Sequence, residues 1–172
     1  MIRNQVAHLA ARRIACVLAI GTALAGAGPA SAQEVGALNS RNGARAYSEG
    51  VWALDAGRFE QAATLLQQVS LDSPRNSDVW RFLGAARAGL KDWAGSRAAY
   101  EKAVEINPTD WGSHAGLGVA LAALGDAGAK TELAWLEEQV RTCNRNCADF
   151  DYLDAMLRQV REALTGRPSP VL

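Results

Sequence analysis

The chain has 172 residues, a length that fits one domain, and 49% of them are hydrophobic, largely alanine and leucine, enough to bury a core. Its 18 basic and 18 acidic residues cancel, so no long-range field of the kind that gathers nucleic acid surrounds it, and no nucleic-acid partner is expected. The balance hides an asymmetry: every acidic residue follows Ala32, whereas Arg3, Arg12 and Arg13 precede it.

Residues 1–32 read as a secretory signal peptide. A basic start leads into the apolar stretch Ile14 to Ala27, and Pro29-Ala30-Ser31-Ala32 supplies the small-x-small pattern that a signal peptidase pocket admits, with cleavage after Ala32. The apolar run is too short and too glycine-rich to span a bilayer comfortably, so no stable membrane span is expected after cleavage. An uncleaved anchor is the alternative. Arg12-Arg13 raises the twin-arginine route, but Ile14-Ala15-Cys16 continues that signal poorly, and Cys16 lacks the upstream leucine of a lipoprotein cysteine. General secretion fits better, and it places the remaining chain, mildly acidic, in the periplasm or outside the cell.

Gln33 to Asn42 mixes Gly, Asn, Ser and Gln without periodicity and reads as a linker. From Gly43 the chain repeats itself at an interval of 34 residues, in units 43–76, 77–110 and 111–142. Gly50, Gly84 and Gly118 correspond, as do Phe59 and Trp93, Leu66 and Tyr100, Val69 and Ala103, and Pro74 and Pro108. Each glycine is expected where the two helices of a unit cross closely, and each proline where the second helix stops. Asn76, Asp92, Asp110 and Asp126 are placed to cap the helices that follow. The third unit keeps Leu117-Gly118 but has Lys130, Ala134 and Glu137 where the second has Ser96, Tyr100 and Ala103.

After Thr142 come Cys143 and Cys147, then a segment in which Phe150, Leu153, Leu157, Val160 and Leu164 recur at helical spacing opposite charged residues. That pattern predicts a capping helix over 148–165 that closes the end of the stack. Residues 166–172 read as a disordered tail.

Trp80-x2-Leu83-Gly84, Tyr100, Ala103 and Pro108 stand at the spacing of the tetratricopeptide repeat (TPR), which the stretch Ser77 to Pro108 resembles, with Arg87 and Ser96 as departures. The resemblance implies an all-α fold: a short right-handed α-solenoid of about three helix pairs plus the C-terminal capping helix, folded from residues 43–165. The C-x3-C segment before a terminal helix also resembles a group of exported bacterial TPR proteins.

Repeats of this family bind peptides along a concave surface lined by the first helix of each unit. Carried over, that surface comprises Tyr47, Val51, Leu54 and Asp55, then Asp78, Arg81, Ala85 and Ala88, then Gly112, Ala115, Val119 and Ala122. Only Arg81 is basic there, so a clamp for a terminal carboxylate does not fit, whereas an amphipathic helix does. The rival is internal: the capping helix or residues 33–42 fill the trough. Trp52 stands where the later units have Ala86 and Ala120. It is covered by residues 33–42, by a second copy of the chain in a homo-oligomer, or by a partner.

Cys143 and Cys147 admit three readings. A structural disulfide suits an exported chain. A redox dithiol usually has two intervening residues and sits at a helix start, whereas this pair has three and no neighbouring histidine. Zinc needs two further ligands, and His114 is the one histidine after Ala32. His114 falls on a packing face without a nucleophile paired to it, and Glu137-Glu138 and Asp149/Asp151 suit solvated helix faces. No phosphate-cradling loop or nucleophile elbow is present. The expectation is a periplasmic, non-enzymatic scaffold without cofactor or metal, whose partner is a protein or peptide; a thiol-redox protein and a structural homo-oligomer are the alternatives.

Overall fold

The computed structural model describes residues 32–143 and 147–166. Among these residues there are seven helices and no strand: α1 (Ala32–Asp55), α2 (Phe59–Asp72), α3 (Ser77–Gly89), α4 (Trp93–Ile106), α5 (Trp111–Ala123), α6 (Gly128–Cys143) and α7 (Phe150–Leu164). The fold is an all-α solenoid in which α1/α2, α3/α4 and α5/α6 form hairpins and α7 closes the array. Chain contacts divide between Asn39 and Ser40, and the packing and core belong to the unit that starts at Ser40.

The helix boundaries follow from local chemistry. Asn76, Asp92 and Asp110 accept hydrogen bonds from the backbone N–H groups of Asp78, Gly95 and Ser113, and Asp126 accepts one from Gly128 at 2.8 Å. At the turn inside each hairpin the backbone reverses through one left-handed residue: Gly57 (φ 70°), Lys91 (φ 60°) and Gly125 (φ 70°), each at the same place in its repeat. The following N–H reaches back to close the helix end, Arg58 to the Ala53 carbonyl at 2.8 Å, Asp92 to Arg87 at 2.9 Å and Asp126 to Leu121 at 2.9 Å.

The expected linker at 33–42 is a correction: the backbone there is the opening of α1. No proline interrupts it, and Gly36 and Gly43 each cost only about 1 kcal/mol of helix propensity beside good helix formers such as Glu34, Ala37 and Leu38. Residues 1–31, with the proposed signal segment, and 167–172, with most of the expected tail, lie outside the described residues, as do Asn144 to Asn146.

The hairpins close over glycine as expected, with one difference. A Cβ on Gly50 would lie 2.9 Å from Leu66 Cγ in α2, and one on Gly84 would lie 2.9 Å from the Tyr100 ring in α4. At Gly118 the nearest atoms are those of Val160 in α7, at 3.0 Å, with Glu132 of α6 at 3.2 Å. The third glycine therefore admits the closing helix as much as its own hairpin partner. Tyr100 is held from two sides, because a Cβ on Gly116 in α5 would approach the same ring more closely still.

Leu54, Leu66, Leu83, Tyr100, Leu117 and Leu121 form one buried cluster through the first two hairpins and into α5. Ala115, Leu136, Leu153, Met156, Leu157 and Val160 form a second between α5, α6 and α7. The two departures from the repeat pattern are both satisfied. Ser96 is fully buried and donates to the Gly84 carbonyl at 2.9 Å, and Arg87 donates to the Gly95 carbonyl and to Gln67, joining the first repeat to the second.

Candidate functional site

A cavity of about 200 Å³ is reached by the first helices of all three repeats. Leu54 and Asp55 come from α1, Arg81, Phe82 and Ala85 from α3, and Gly112 and Gly116 from α5, with Tyr100 beneath them. The remaining wall is α7, through Tyr152, Met156 and Gln159. The closing helix thus enters the trough instead of only capping its end.

This entry decides the fate of the expected lining. Leu54, Arg81 and Ala85 stand on the cavity, as do Asp55 and Gly112. Tyr47 meets Phe82 edge-on with ring centroids 6.0 Å apart, and Val51 is half-buried; neither lines the cavity. Ala88 is buried. Ala115 and Val119 are corrected: Ala115 is wholly buried in one cluster with Leu153 and Met156, and Val119 packs on the same cluster, so α7 covers this part of the third repeat while Gly112 and Gly116 stay on the cavity. The cause is the breadth of the apolar stripe on α7, which includes Met156 and therefore reaches beyond α6 onto α5.

Phe82, Tyr100, Gly116, Tyr152, Met156 and Gln159 are site residues that sequence reasoning missed. A signal was present for Tyr152, an aromatic standing on the otherwise charged side of the closing segment.

Arg81 organises the polar floor. Its Nη2 donates to Asp78 Oδ1 at 3.0 Å, its guanidinium lies 4.3 Å from the Phe82 ring centre, and its buried Nε sits 3.4 Å from Asp110 Oδ2 without forming a hydrogen bond. Asp110 is also the cap of α5, accepting from the Ser113 N–H at 3.0 Å, so Arg81 ties α3 to the start of the third repeat. Burial works against the Arg81 charge, but the Asp78 hydrogen bond and the Asp110 charge outweigh it and raise its pKa. Burial pushes the Tyr100 and Tyr152 phenols up as well, against the pull of Arg81. Both hydroxyls stay protonated at neutral pH.

Elsewhere, Trp52 is 63% exposed, with the Arg58 guanidinium 4.0 Å from its ring centre. Ala86 and Ala120, its counterparts, are wholly buried. Cys143 and Cys147 are joined as a disulfide with Cα atoms 5.4 Å apart, tying the end of α6 to the approach to α7. His114 is a packed residue: its ring stacks on Trp135 with centroids 3.6 Å apart and its two nitrogens face Glu132 and the Pro108 carbonyl. Among the described residues no group of three or more His, Cys, Asp or Glu side chains could hold a metal, and no helix is long and apolar enough to cross a membrane.

Comparison with known proteins matches residues 47–111 to the tetratricopeptide repeat family model. The chain is also similar to a TPR repeat-containing protein of Pseudomonas aeruginosa, 41% identical over 56 residues, which is 33% of this chain and 53% of that relative. The chain thus spans about half the length of the curated relative it matches. Residues 47–111 thus match tetratricopeptide repeats, and the three stacked hairpins at one interval, with glycines at their crossings, agree with that match.

Proposed function

We propose that this chain is an exported, non-enzymatic scaffold that holds a protein or peptide partner in the open part of its concave trough. The family is generally non-enzymatic and its repeats serve contacts between proteins. The observation that carries the reading is the cavity left between Leu54, Phe82 and Ala85 on one side and Tyr152 and Met156 on the other. Although α7 covers Ala115 and Val119, the first helices of all three repeats still reach the cavity. Export is supported by the basic and apolar opening of residues 1–32, by Ala30 and Ala32, and by a cysteine pair set at bonding distance.

The test places a photoreactive phenylalanine at Phe82 and, separately, at Glu105 on the outer helix α4, in cells that make the protein. Crosslinks to a defined partner from position 82 and none from 105 are expected. Equal crosslinking from both positions counts against groove binding. N-terminal sequencing of the exported protein should begin at Gln33, and recovery of the chain in the cytoplasm with Met1 intact removes the export reading.

A second reading, self-association through Trp52, is favoured by its 63% exposure. Light scattering of the wild type and Trp52→Ala decides it, because a monomer in both leaves that surface without a role in assembly.

A further inference from the structure

The cavity walls have a chemistry of their own. Of the two charged side chains that line it, Arg81 is committed to Asp78 and Asp110, so its positive charge is more than balanced within the fold. Asp55 is the opposite case: it is exposed, lies on the cavity, and forms no ion pair or hydrogen bond among the described residues. Asp55 is therefore the carboxylate on the cavity left without a partner among the described residues. Tyr152 adds an aromatic surface, whereas the Phe82 ring already faces the Arg81 guanidinium.

Size narrows the occupant. About 200 Å³ lies below the roughly 300–1,000 Å³ of cofactor and small-molecule sites, and it suits one long side chain. Leu54, Ala85 and Met156 offer apolar lining for a hydrocarbon stem, and Asp55 a free carboxylate on the same cavity. We propose that the cavity receives a lysine or arginine side chain of the partner peptide, its stem along Leu54, Ala85 and Met156 and its charge against Asp55. The inference rests on the trough being the binding face, and it names the partner's chemistry: an amphipathic segment with a basic residue at its anchoring position.

A displayed library of helical peptides with randomised exposed positions tests it, selected on the wild type and on Asp55→Asn. Because Asp55 is exposed and makes no contact of this kind, the Asn variant should fold unchanged, which its melting temperature checks. Lysine and arginine are expected to be enriched about threefold or more at one position by the wild type, and to lose that enrichment on the variant. The best peptide, labelled for anisotropy, should bind the wild type more weakly as salt rises. Selection of neutral or acidic residues at every position, with binding lost in Phe82→Ala, overturns the basic anchor while leaving groove binding intact. Failure of the wild type to enrich any peptide overturns both.

Discussion

His114 and Glu132 meet across the third hairpin, with Nδ1 2.6 Å from Oε2, while the other ring nitrogen lies 3.0 Å from the Pro108 carbonyl oxygen. Both neighbours accept hydrogen bonds, so both ring nitrogens must carry protons for the arrangement to be satisfied. Burial disfavours the imidazolium, but the Glu132 and Pro108 hydrogen bonds and the charges of Glu132 and Asp110 prevail, and the pKa is raised above its ordinary 6.5. A raised folded-state pKa gives stability that is fully present below 6.5 and is lost as pH climbs through the folded value. The melting temperature of the wild type should therefore fall with rising pH across that window relative to His114→Gln. Proton NMR titration of the ring should give a midpoint above 6.5, and a midpoint below it would falsify the assignment.

Lys91 occupies the left-handed turn position that Gly57 and Gly125 fill in the neighbouring repeats. A side chain in that conformation costs about 1 kcal/mol or more, which glycine avoids. Lys91→Gly should raise the urea-unfolding free energy by about 0.5–1 kcal/mol, whereas Gly125→Ala should lower it by about 1 kcal/mol. Loss of stability in Lys91→Gly would show that the lysine contributes something other than a turn.

Tyr100 is wedged between Gly84 and Gly116. Adding a methyl group at Gly116 drives it into the ring, which cannot retreat because Gly84 closes the other side. Gly116→Ala is expected to cost about 1–3 kcal/mol in chemical denaturation. Gly43→Ala, where an added Cβ meets nothing within 4 Å, should be neutral or slightly stabilising.

The Cys143–Cys147 bond closes a very short loop. Chain entropy then supplies only about 2 kcal/mol, and the closing helix is held mainly by Leu153, Met156, Leu157 and Val160. Reduction, or Cys143→Ser with Cys147→Ser, should lower the melting temperature by several degrees and leave the helical circular dichroism intact. Collapse of the helical signal on reduction would show instead that the bond is required for α7 to dock.

The hairpins were legible in the sequence because their signals are local and recur: a capping Asn or Asp, a glycine at each crossing, a proline after each second helix. Three kinds of feature were not. The opening of α1 was hidden because its glycines and polar residues resemble a linker, and helix propagation from Ala44 onward overrides them at little cost. The position of α7 was hidden because an amphipathic stripe fixes which side is buried but not which neighbour buries it, so Ala115 and Val119 were expected in the groove and are beneath the closing helix. The cavity was missed for the same reason: Phe82 and Tyr152 come to line it only through packing between distant parts of the chain.

Stacked repeats ordinarily hold one another only pairwise, so that either end can peel away while the rest persists. Here Leu54 from the first repeat and Met156 from the last helix border one shared void. Whatever occupies that void fastens both extremities of the array together, and a bound partner should suppress fraying at the two ends in concert.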